Sequence, residues 1–155
     1  MSGLTQRELE SYLWGASILL RGLIDASDYK QYIFPLLFFK RLSDVWDEDY
    51  QEALDETGDE GYATDTANDR FVIPEGAHWN DVRAAPRDVG RALLLAFLAI
   101  EGANPERLQG VFGNANWTDK AQMPDSTLKN LIEHFSSHDL TLAAVPEDEL
   151  GNGYE

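Results

Sequence analysis

Apolar residues recur along this chain at helical spacing in several places. Leu9, Leu13, Ala16, Leu20 and Leu23 follow one another at three or four residues, the mark of a helix with one buried stripe. Thr5, with Glu8 three positions later, has the form of a capping box at its start, and Gly22 stands near its end. Trp14 and Ile18 fall off the stripe, so this helix is expected to touch two neighbours.

The next segment, SDYKQYIFPLLFFKRLSDVWDEDYQEAL, changes character midway. At 100° per residue, Leu42, Val45, Trp46, Tyr50 and Ala53 fall on one side of a helix, and Arg41, Asp44, Asp47, Glu48 and Glu52 on the other. In the first half, apolar residues from Tyr32 to Phe39 cover the whole circumference, so that half is expected to be enclosed. Asp25 or Ser27 serves as its N-cap. Pro35 cannot donate to the Gln31 carbonyl, which costs about 3 kcal/mol in a helix interior and predicts a kink there.

The acid-rich run 55–69 reads as a solvated loop, and Arg70–Ile73 as a short β segment stopped by Pro74. Trp79 is expected to anchor the return to the core. A further helix follows Pro86, with Val89, Leu93, Ala96, Phe97 and Ile100 inward and Gly102 or Asn104 at its end. After one short helical turn and a loop, DSTLKNLIEHFSSHDL closes the set, with Asp125 or Ser126 capping and Leu128, Leu131, Ile132 and Phe135 buried. The expected fold class is mainly α: a helical bundle over residues 1–155, with a long kinked second helix and one short β segment near 70–73.

Composition narrows the function classes. The chain has no cysteine, which removes disulfides, thiol nucleophiles and cysteine zinc sites, and fits a reducing cytoplasm. No apolar run approaches the roughly 20 residues of a membrane span, and the charged N-terminus lacks the apolar core of an export signal. A cytoplasmic protein without membrane partners is expected. A net charge of −16 argues against a protein that coats nucleic acid by itself. The cations, however, are confined to 7–41, 70–107 and the pair Lys120 and Lys129, so a modest basic face remains available.

Motif searches find little chemistry. There is no Gly-x-Ser-x-Gly elbow, no phosphate loop and no dinucleotide fingerprint. His134 and His138 share the i,i+4 spacing of a metal pair, but Phe135 stands where a zinc protease motif needs glutamate, and a solvated helix end is the better reading. No catalytic, cofactor-binding or metal-binding residue is assigned. Arg87 and Arg91 should share a helix face, and with Lys40 and Arg41 they could contact DNA phosphates. An exposed face partly paired with Asp88 is the other reading.

The stretch LWGASILLRGLIDASDYKQYIFPLLFFKRLSD, Leu13–Asp44, resembles the opening of the modification (methyltransferase) subunit of type I DNA restriction-modification systems. ANPERLQGVFG, LKNLIEHFSS and the terminal EDELGNGYE are similar too, and occur in the family's order. The resemblance implies the helical N-terminal domain of an adenine-specific DNA methyltransferase. In that family a following Rossmann-like domain binds S-adenosylmethionine and carries an Asn-Pro-Pro-Phe/Tyr motif. These 155 residues contain no Pro-Pro dipeptide, so the segment alone is expected to be inactive and to hold no cofactor.

The partners implied are double-stranded DNA, the specificity subunit, a second modification subunit and the restriction subunit. Within the enclosed segment, Ile33, Phe34 and Leu37 are candidates for a domain or subunit interface. The rival reading is a stand-alone acidic module that mimics DNA charge and occupies a basic cleft on a partner protein.

Overall fold

The computed structural model of the chain describes residues 4–145. Among the described residues six α-helices run in the order α1 (Gln6–Leu20), α2 (Tyr29–Thr57), α3 (Glu60–Arg70), α4 (Trp79–Arg83), α5 (Val89–Ala103) and α6 (Asp125–Phe135). No strand is present among the described residues. The molecule is organised on the 29-residue α2, against which α1, α3, α4 and α6 all pack.

The start of α1 is set as its sequence predicts. Thr5 Oγ1 accepts the Glu8 N–H at 3.1 Å, and the Glu8 carboxylate accepts the Thr5 N–H at 3.0 Å. Its inward face is Leu9, Tyr12, Leu13, Ala16 and Leu20, whereas Leu23 lies exposed beyond the helix end. A 3₁₀ turn, Ala26–Asp28, leads into α2, which continues through Pro35 without interruption. Gln31, whose carbonyl loses its intrahelical partner, is exposed, so water can replace the missing donor.

The enclosed half of α2 forms the centre of the core. Ile33, Leu36, Leu37 and Phe39 are fully buried. Phe39 meets Trp79 at 5.2 Å and Phe97 at 5.3 Å between ring centroids, and Phe97 stacks on Phe112 at 4.2 Å. On α5 the inward residues are Val89, Leu93, Ala96, Phe97 and Ile100, and on α6 Leu128, Leu131, Ile132 and Phe135, matching the periodicity.

Two local expectations are overturned. The run 55–69 is not a loop. Helix α2 extends to Thr57, Gly58 ends it in the left-handed conformation at φ 70°, and α3 begins two residues later. Asp59 caps α3 by accepting the Tyr62 N–H at 3.1 Å, and Ala63 and Ala67, one turn apart, are buried. The Gly-Asp pair therefore acts as a helix stop followed by a helix start, and small alanines supply the packing that a count of large apolar residues overlooks.

The β segment near 70–73 is also absent. Arg70 is the last residue of α3, and Phe71 is extended at φ −160° but has no strand beside it. The side chain of Asn104 takes the place of that strand. Its Oδ1 accepts the Val72 N–H and its Nδ2 donates to the Val72 carbonyl, both at 2.7 Å. One amide thus satisfies the two backbone groups that a ladder would have used.

Candidate nucleic-acid interface

The four cations that the sequence groups as a phosphate-contacting patch divide into two pairs with different roles. Lys40 and Arg41 are buried, 6% and 9% exposed. Lys40 Nζ donates to the His138 carbonyl at 2.8 Å and pairs with Asp44. Arg41 Nη1 donates to the carbonyls of Leu140 at 2.8 Å, Thr141 at 3.1 Å and Val145 at 2.5 Å. Asp44 accepts the Leu140 N–H at 2.9 Å, and Glu48 accepts the N–H groups of Leu142 and Ala143 at 2.9 and 3.1 Å. Burial pushes the Asp44 carboxyl upward, against the lowering by Lys40 and the Leu140 N–H.

The polar edge of α2 is therefore a binding strip for the non-helical strap 136–145. A strap without regular structure brings unpaired backbone groups onto the core, and this edge supplies donors and acceptors for them. Arg41 and Asp44, placed outward by helical projection alone, face this covering segment.

Arg87 and Arg91 lie on the surface, with no hydrogen bond or salt bridge to another described residue. Arg87 precedes α5 and Arg91 lies in its first turn. Between them Asp88 has the left-handed φ of 52° and leaves the capping of α5 to Asp125, whose carboxylate accepts the Asp88 and Val89 N–H groups at 2.9 and 3.1 Å. The Asp88 carboxylate instead binds Lys120, and it is held below its ordinary range first by that bond and charge, then by the charges of Arg87 and Arg91.

Lys129 Nζ donates to the Pro86 carbonyl at 2.6 Å, and Arg83 forms a two-pronged pair with Glu133 at 2.7 and 2.8 Å. A pocket of about 290 Å³ opens here, lined by Arg91, Lys120, Trp117 and Asp125 among others. Lys120 and Lys129 belong to this corner, yet no sequence spacing joins them to Arg87, because the fold of α6 and the loop before it brings them together.

Of the candidate interface residues, Ile33 and Leu37 are core, while Phe34 is half-buried and stacks on Phe38 at 6.1 Å. The large apolar residues most open to solvent are elsewhere: Trp14 on α1, and Leu95 and Leu98 on α5. His134 contacts α1, its Nε2 lying 2.6 Å from the Tyr12 carbonyl oxygen. No described helix is long and apolar enough to cross a membrane. The acids of α2 are partly engaged within the molecule, Asp47 with His78 at 2.8 Å and Asp49 with Arg70 at 2.9 Å.

These features define an α-helical module built around one long proline-containing helix, with exposed cations at one corner of an acidic body. Residues 9–135 match the family model of the HsdM N-terminal domain, and the chain belongs to that family, the N-terminal part of the modification subunit of type I restriction-modification systems. The match takes in the long central helix and the corner that carries Arg87 and Arg91. A search of curated proteins finds no match.

Proposed function

We propose that this domain is a supporting module of an adenine-specific DNA methyltransferase, helping to hold duplex DNA and to assemble with the specificity subunit and a second modification subunit. The observation that carries the DNA contact is the pair Arg87 and Arg91, exposed beside Lys120 and free of internal bonds among the described residues. Guanidinium groups in this position suit phosphate oxygens, and such contacts orient a protein on DNA without reading its sequence. Lys40 and Arg41 are left out of this contact, because both serve the strap.

Methyl transfer to adenine N6 is assigned to other residues of the full subunit. S-adenosylmethionine would supply the methyl group there, and residues 1–155 hold neither a glycine-rich cofactor motif nor the Asn-Pro-Pro-Phe/Tyr motif. Membership in the family disfavours the stand-alone DNA mimic.

The test uses the assembled modification and specificity subunits with Arg87→Glu and Arg91→Glu together. DNA affinity at low salt is expected to fall by about tenfold or more. The slope of log affinity against log salt should fall by about 2, near 0.9 for each phosphate that is no longer neutralised. Unchanged affinity with an unchanged slope would remove both arginines from the interface.

A further inference from the structure

A pocket of about 660 Å³ lies between the turn leading into α2 and the loop 114–122. Asp25 and Asp28 line one part, Asn114, Asn116 and Gln122 another, and Tyr32 also contributes to its wall. No lysine or arginine lines it.

Tyr32 is the feature that marks a built site. Its residue is only 5% exposed, and its ring packs edge-on against Trp117 at 5.0 Å. Its hydroxyl has no hydrogen-bond partner among the described residues, and none of their fully buried side-chain polar atoms is left unpartnered. The oxygen therefore reaches solvent, and Tyr32 is one of the residues that line this pocket. Around it the acceptors are largely unused. Asp28 Oδ1 takes one hydrogen bond from Gln31 at 3.1 Å, and Asn116 Oδ1 takes one from Thr118 at 3.3 Å. The side chains of Asp25, Asn114 and Gln122 make none with described residues.

We propose that this pocket receives the guanidinium of an arginine presented by a partner protein. A guanidinium carries five N–H donors in a flat fork and no acceptor, so it needs several oxygens spread around a plane. Two carboxylates, three carboxamide oxygens and a phenolic oxygen provide that set. The surrounding field has the matching sign: the Tyr32 hydroxyl is held above its ordinary pKa, first by burial and then by the charges of Asp28 and Asp119. The same field, with no cation in the wall, disfavours phosphate. The loop 114–122 thus separates two ligand chemistries, with Lys120 toward the cation cluster and Asn114 and Asn116 toward the acidic pocket. This proposal stands independently of the DNA contact.

The test is a titration of the isotope-labelled 155-residue chain with N-acetyl-arginine amide, followed by amide NMR shifts. N-acetyl-citrulline amide, the neutral isostere, serves as the comparison. Saturable shifts confined to residues 22–32 and 114–122 are expected, with citrulline at least about tenfold weaker, as befits the loss of charge-assisted bonds. Tyr32→Phe, which keeps the ring against Trp117, should weaken arginine binding by about threefold or more, and Asp25→Asn with Asp28→Asn by about tenfold. Spectra of the variants without ligand report whether the fold is retained. Equal binding of citrulline, shifts scattered over the acids of α2 and α3, or no saturable shift would each overturn the proposal.

Discussion

A methyl group added at Gly90 of α5 would lie 1.9 Å from the Trp117 carbonyl oxygen and 2.8 Å from its carbon. Both atoms are backbone, so the loop itself would have to move. Alanine favours a helix over glycine by about 1 kcal/mol, but overpacking against an unyielding neighbour costs about 1–3 kcal/mol and here decides the sign. Gly90→Ala should lower the urea midpoint with little change in slope. Gly102, near the other end of the same helix, has nothing within 4 Å of an added methyl. Gly102→Ala should raise the midpoint, by an amount equivalent to about 0.5–1 kcal/mol. Opposite shifts from one substitution type would separate close approach from helix propensity.

Among the elements, α3 shows where reading the chain succeeds and where it stops. Helix α6 was legible because large apolar side chains at Leu128, Leu131, Ile132 and Phe135 mark its face. Helix α3 has the same architecture but marks its face with Ala63 and Ala67, amid acids that look like a solvated loop. Its start depends on Asp59, so Asp59→Ala should cost about 1 kcal/mol in urea denaturation. The corner bearing Arg87 and Arg91 was legible in part, since their helical spacing is local. Lys120 and Lys129 were not, because tertiary folding alone brings them to Asp88 and Pro86. Lys40 and Arg41 were misplaced for a related reason. Helical projection shows which way a side chain points, but not that residues 136–145 return to cover it.

At the scale of the whole molecule, His78 ties α4 to α2 and makes stability depend on pH. Its Nε2 meets Asp47 at 2.8 Å, and Nδ1 lies 3.0 Å from the Asn80 N–H at the start of α4. Burial opposes protonation, yet the Asp47 bond and charge, with Asp81, raise the imidazole above its ordinary value of 6.5. Since the folded value exceeds the unfolded one, the contribution is fully present below the unfolded pKa and is lost as pH rises through the folded pKa. In denaturation across that window, the native chain should lose stability with rising pH relative to Asp47→Asn. A parallel pH response in the two proteins would show that the Asp47 contact is not the source.

The attachment of residues 136–145 to α2 also has a kinetic meaning. Lifting the strap would leave the Arg41 guanidinium without three carbonyl partners and uncover Leu140 and Val145, both fully buried. A hydrogen bond to a charged group is worth about 1.5–3 kcal/mol, so fraying one residue at a time is steeply uphill. Strap and helix should open as one cooperative unit, with the amides of Leu140, Leu142 and Val145 exchanging with solvent as slowly as those of the helix that holds them. In the time domain, a segment with no regular secondary structure behaves as part of the core.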